Sequence, residues 1–475
     1  MAMVKWFFLV AILLLSACGN SPSSPAADLL VDTALDFAGE AAGDLAINNV
    51  RVAMNPGNLL SRFIDFDTEV PTTALLSIRC NGEWIGEVTS DPSPTKAHSA
   101  FIMALLPGNV CTIDITVASD SMQGSYLVEF LVVPPPEFLP IPTLLDSSLS
   151  EETGFTLFNL TNTTDELPLA VVVVDSKGRY RWYHQRATDN PGSDTDVRVI
   201  PEGILIGGTH GQIMPALISW EGQVVWEIQV NMHHELRFFP EANQYQILVD
   251  VKGCQQEYSS GAIVRIDADT LEPVWEWRIC EHYTPSNLVS DWSHLNTASP
   301  FPNEDSLLVS SRNQNAVFKV QRDSGDIAWK LGENGDFEMP DNAIFYHQHD
   351  PTVLDDGSIL LFDNGLAGSR ESSRALQLAI DHENQSVSVV WQYEPSPEII
   401  APVWGDADRL ANGNTLVVFG QRSAIKRSRI VEVDPSGNEV WTLVLPEKWG
   451  IYRAERLENL EVGHFLATKP ESEGQ

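Results

Sequence analysis

The chain has 475 residues, 43% of them hydrophobic, and a formal net charge of -36 from 65 Asp and Glu against 29 Lys and Arg. That apolar content supports packed cores and excludes a disordered chain. The acids are dispersed along the whole sequence, which argues against a nucleic acid partner, since a phosphate-binding face needs clustered Lys and Arg.

In chain order, the first predicted element is a processing signal. Lys5 precedes the apolar run "WFFLVAILLLSAC", and Leu15-Ser16-Ala17-Cys18 has the small-residue form of a lipoprotein cleavage box. The reading is a signal peptide over 1–17, a lipidated Cys18 as mature N-terminus, and a flexible tether over 18–28. No Asp stands beside the cysteine, so the expected place is the outer membrane of a bacterial envelope, facing the periplasm and anchored by lipid. Disulfides persist in such a compartment. Cys80, Cys111, Cys254 and Cys280 permit three connectivities, of which adjacent pairing keeps each bridge within one proposed domain.

Residues 29–133 alternate in short segments such as "NVRVAM", "CTIDITVAS" and "SYLVEFLVV", broken by Pro, Gly and Asn, which predicts a small β-sandwich. The proline-rich stretch 134–145 follows as a stiff linker. From 146 to 475 the chain repeats itself. Six strand-like phrases carry Trp182, Trp226, Trp275, Trp329, Trp391 and Trp441, spaced 44 to 62 residues apart. A second phrase, in which a polar start leads through a turn to an apolar strand, also recurs six times, from "TDVRVIPEGILIGG" to "YRAERLENLEVGHFLAT". These periods predict an all-β protein with a six-bladed β-propeller after the sandwich. The last opening phrase follows the last tryptophan, so the C-terminal strands should complete the blade begun near residue 155 and protect its edge. The tryptophans are read as packing between sheets.

Aligning the opening phrases brings His234, His294 and His349 into register, with Gly405 and Tyr452 in the next two units and Asp406 and Arg453 one position later. The start of an inner strand faces one mouth of the channel, so three histidines from consecutive blades should converge there. Period-two alternation turns Asn296 the same way as His294. Arg312, at the end of the strand in "VSSRNQN", could reach back to the mouth. His233, His347 and His210 lack registered counterparts and are read as neighbours, and His282, His382 and His464 as surface or packing residues. One such histidine alone is more often a satisfied polar residue than a catalyst; the registered recurrence is what favours a site.

Three chemistries could use the cluster. Three histidines could hold zinc or iron in a hydrolase or lyase. A metal-free site could bind a sulfate or phosphate ester, with Arg312 neutralising its oxygens and a histidine as nucleophile. The propeller could also be a non-catalytic scaffold. Asn and Arg at the same mouth suit an oxyanion better than a cation.

At these residues the chain resembles the bacterial arylsulfate sulfotransferases, a family that moves a sulfuryl group between phenols without a nucleotide sulfate donor. The resemblance covers residues 150–475 best and rests on "MHHEL", "DWSHLNT", "SSRNQN", "YHQHDP", "GNTLVVFG" and "IYRAERL". It implies an aryl sulfate donor and a phenolic acceptor, with neither metal nor cofactor. It also implies a ping-pong reaction in which His349 is transiently sulfurylated. His234, His294, Asn296 and Arg312 then hold the sulfuryl oxygens or handle the phenolic proton, with Tyr452 and Arg453 as neighbours.

Overall fold

The computed structural model describes residues 40–90, 93–146, 154–162, 169–186, 196–208, 214–252, 254, 258–285, 289–370, 372–423, 425–462 and 465–467. The expected signal peptide, Cys18, the tether, His210 and His464 lie outside them. Among the described residues no helix is long and apolar enough to cross a membrane.

The N-terminal part is built on one long strand, Arg62–Cys80, whose side chains alternate between buried and exposed along nearly its whole length. Its first half pairs with Ile47–Met54 and Thr95–Ile102, its second with Glu83–Thr89 and Val110–Ala118, so one strand serves two sheets of a sandwich. Cys80 lies opposite Cys111 in that pairing and the two are disulfide-bonded; Cys254 is bonded to Cys280. Adjacent pairing is therefore the connectivity adopted.

Beyond the sandwich stand six blades of antiparallel strands, as the repeats predicted. The inner strands are Val197–Ile200, Met232–Phe239, Leu295–Pro300, His349–Val353, Asp406–Arg409 and, closing the first blade from the far end of the chain, Ala454–Leu457 against Phe155–Asn162. Second strands such as Ser306–Ser311, Ile359–Asp363 and Thr415–Phe419 are buried at every position, because neighbouring blades cover both faces. Thr143–Asp146 adds a fifth strand to the last blade, and Leu460–Val462 with Phe465–Ala467 continues the N-terminal sheet.

Each repeated tryptophan sits on the fourth strand of its blade, counted from the inner strand, and reaches the following blade. Trp182 Nε1 donates to Trp220 O at 2.7 Å, Trp226 Nε1 to the Tyr245 hydroxyl at 3.3 Å, Trp275 Nε1 to Arg322 O at 3.2 Å and Trp441 Nε1 to Ser176 O at 2.8 Å. Trp329 meets the ring of His382, and the Arg409 guanidinium lies over Trp391. Each such hydrogen bond is worth about 1 kcal/mol net, so six contacts around the ring add to the apolar packing that joins blade to blade.

Candidate active site

Three of the inner strands begin with a break in regular pairing. The register shifts between His233 and Leu236, between Leu295 and Thr297, and between His349 and Thr352. His234 and His294 adopt left-handed backbone at φ 61 and 40, as does Asp350 at φ 46. Such conformations are uncommon for non-glycine residues, and they re-aim a side chain at the mouth of the channel. In the next blade the registered position is Gly405 at φ +156, where a Cβ would lie 2.2 Å from the Phe362 ring. No side chain fits there, so that blade contributes none at this level.

The histidine rings meet. His234 lies 4.9 Å from His294 and 6.3 Å from His349, centroid to centroid, and Tyr452 lies 5.9 Å from His234 and 6.3 Å from His349. Four of the residues picked from the sequence therefore share one space. The histidine nitrogens do not come together as a metal triad: among the described residues, the group whose donor atoms lie within 4.8 Å of one another is Asp350, Asp406 and Asp408.

His349 is 1% exposed, and its ring is held by groups that fix the position of its proton. Asn364 Nδ2 donates to Ala401 O at 2.5 Å and to Trp404 O at 3.1 Å, which orients the amide and turns its oxygen to the imidazole. His349 Nδ1 therefore carries the hydrogen, donating to Asn364 Oδ1 at 2.7 Å with the carbonyl of His347 at 3.1 Å. Its Nε2 is buried without a hydrogen-bond partner among the described residues, a lone pair turned to the site. Burial first, then the nearby Arg312 charge, brings its pKa down to about 3, so the ring is neutral at ordinary pH.

Arg312 opens the short turn Arg312–Gln314, and its backbone N–H donates to His294 O at 3.0 Å, which ties it to that histidine. Its guanidinium donates to Pro402 O at 3.0 Å and lies 3.4 Å from His347 Nδ1. His347 is thus part of the mouth despite its missing counterparts in other blades, and burial with Arg312 lowers its pKa to about 4. His294 Nδ1 is held by the Asp291 carboxylate, while His234 Nδ1 pairs with His233 Nδ1 at 2.7 Å, and His233 Nε2 lies 3.5 Å from Asp250.

Two expected residues sit differently. Asn296 falls in the break between Leu295 and Thr297, so simple alternation does not describe it; its Nδ2 donates to Gln348 O at 2.8 Å, buttressing the strand that carries His349. Arg453 turns into the channel, paired with Asp350, with Asp196 at 3.2 Å and with Asp406 at 3.5 Å. Sequence reasoning missed Asn364, Asp291, Asp196 and Asp350, and it brought Asp406 into register without giving it a role. Asn364 had a usable signal, because it follows the second strand of its blade as Arg312 follows the second strand of the blade before.

The family model described as arylsulfotransferase (ASST) matches residues 146–453. The chain is similar to the arylsulfate sulfotransferase AssT of Escherichia coli O6:H1 (strain CFT073), at 26% identity over 27% of this chain and 28% of that one. It is also similar to the arylsulfate sulfotransferase AssT of Lelliottia amnigena, at 27% identity over 22% of this chain and 23% of the relative. It thus spans about a quarter of the length of the curated relatives it matches. Among solved structures, the hydrazine synthase of Kuenenia stuttgartiensis has 13% identity and a TM-score of 0.34, covering 54% of this chain and 66% of that one, a likeness too slight to carry an argument.

Proposed function

The chain belongs to the arylsulfotransferase family, and from that premise we propose that it moves a sulfuryl group from an aryl sulfate to a phenol by way of His349. The observation that carries this reading is the buried, neutral imidazole whose Nδ1–H is fixed by Asn364 and whose Nε2 lone pair has no partner among the described residues. In the first half-reaction Nε2 forms a bond to sulfur while the bond from sulfur to the aryl oxygen breaks. Its electron pair leaves with that oxygen, which takes a proton from His294. In the second half the acceptor phenol gives its proton to His294, its oxygen bonds to sulfur, and the N–S pair returns to Nε2.

The division of labour follows from the surroundings. His349 rests on a neutral amide, whose hydrogen bond favours the imidazolium less than burial and the Arg312 charge oppose it, whereas His294 rests on a carboxylate, the arrangement suited to passing a proton back and forth. Sulfuryl transfer spreads negative charge over the equatorial oxygens, so Arg312 supplies permanent charge where it develops, with His234 and Tyr452 closing the space around it. Because His349 protonates only near 3, the burst of phenol on mixing with an aryl sulfate should keep its amplitude from about pH 7.5 down to about pH 5. An amplitude that titrates away near the ordinary histidine value would mean that a different, more exposed group attacks.

We also propose that the enzyme is held by a lipid on Cys18 in the outer membrane, facing the periplasm, which the small-residue box before that cysteine supports. Metabolic labelling with a radioactive fatty acid should mark the full-length protein and leave Cys18→Ser unlabelled and in the soluble fraction. Equal labelling of both would remove the anchor from the account.

A further inference from the structure

The channel below the histidines is crowded with carboxylates. Asp196, Glu235, Asp350, Asp406 and Asp408 all lie on or beside inner strands, and Arg198, Arg237 and Arg453 are the guanidinium groups among them. Arg198 and Arg237 serve Asp196 and Glu235. Arg453 directs its three nitrogens to Asp196, Asp350 and the Oδ2 of Asp406. That leaves Asp406 Oδ1, on a residue 1% exposed, without a hydrogen bond among the described residues. An ionised oxygen buried in that condition is costly unless a cation or a proton meets it.

Asp350, Asp406 and Asp408 each offer an oxygen within 4.8 Å of the other two. Asp406 and Asp408 are two apart on the inner strand Asp406–Arg409, so period two turns both to the channel, and Asp350 comes from the inner strand of the blade before. All-oxygen donors select a hard divalent cation. Donors so spaced can close on an ion at the calcium–oxygen distance of about 2.3–2.6 Å. Calcium tolerates irregular coordination, which suits carboxylates set on two separate blades, whereas magnesium demands near-octahedral order at about 2.0–2.1 Å.

We propose that Asp350, Asp406 and Asp408 bind one calcium ion in the propeller channel. The ion clamps the inner strands of two adjacent blades, and one of its ligands directly follows His349 in the chain, so the site steadies the strand that carries the imidazole. The inference uses no step of sulfuryl transfer and stands or falls apart from it.

The test uses the purified full chain, dialysed against chelator and then titrated with calcium chloride by calorimetry and by thermal melting. Wild type should bind one equivalent, and about 1 mM calcium should raise its melting temperature by about 3–6 °C. Asp408→Asn should lose at least about tenfold in calcium affinity and melt no lower than wild type in chelator, because it removes a partly buried like charge beside Asp350 and Asp406. A wild-type melting temperature indifferent to calcium would overturn the site. So would an Asp408→Asn protein that keeps the full calcium shift, and an equal shift from magnesium would overturn the assignment to calcium.

Discussion

Asparagine in place of His349 is expected to lower aryl sulfate turnover by at least about 10⁴-fold, the usual scale when a covalent nucleophile is removed. The expectation rests on position as well as on chemical type. Among the clustered histidines, His349 combines near-complete burial, an amide that fixes its tautomer, and an Nε2 with no hydrogen bond among the described residues. His294 and His234 each have Nδ1 bound to an ionisable group instead, Asp291 in one case and His233 in the other. The measurement is steady-state phenol release from a chromogenic aryl sulfate, with and without an acceptor phenol. Because a buried side chain is being exchanged, the same variant is assayed with added imidazole, which can enter the vacated space and attack in its place. Recovery of phenol release by imidazole would tie the loss to a missing nucleophile, and retention of a tenth of wild-type turnover without it would refute the role.

Arg312→Gln should cost about 10²–10³-fold in kcat/KM, the range seen when a group stabilising developing oxyanion charge is lost. This variant carries a second signature. The Arg312 charge is one of the causes that depress His349, after burial, so its removal lets the His349 pKa rise while burial still keeps it below the ordinary value. The acid limit of the phenol burst should therefore move upward in pH, in the direction of the free imidazole. A merely structural arginine would lower activity without moving that limit. Lysine at this position should rescue part of the pH shift and little of the rate, since it restores a charge but not the planar donor fork. An unchanged rate in Arg312→Gln would remove this residue from the site.

The propeller was readable because its determinants are repeated. Six tryptophans at blade-sized spacing and six polar-to-apolar openings gave the blade number, and the order of the last two phrases gave the closure of the first blade by Ala454–Leu457. The histidine cluster was readable for the same reason. What escaped is local backbone geometry. Alternation along a strand assumed continuous pairing, whereas the register slips beside each of the three histidines, and Asn296 ends up bracing the neighbouring strand at Gln348. Left-handed histidines carry no signature in the sequence, because the strain is held by the surrounding sheet. Arg453 is held by carboxylates on three other blades, separated from it by 47 to 257 residues, a contact set that no short phrase reveals. Gly405 occupied a registered position, but only the fold shows that the Phe362 ring fills the space a side chain would need.

The central claim is a covalent bond between sulfur and one nitrogen of one histidine. Wild-type protein mixed with an aryl sulfate in the absence of any acceptor, quenched at an early time and digested, should yield a peptide containing His349 that carries one added sulfuryl group. That group should disappear when a phenol is added before the quench. A sulfuryl group found on His294, His234 or Tyr452 instead, or stoichiometric phenol release with the His349 peptide unmodified, would contradict the account.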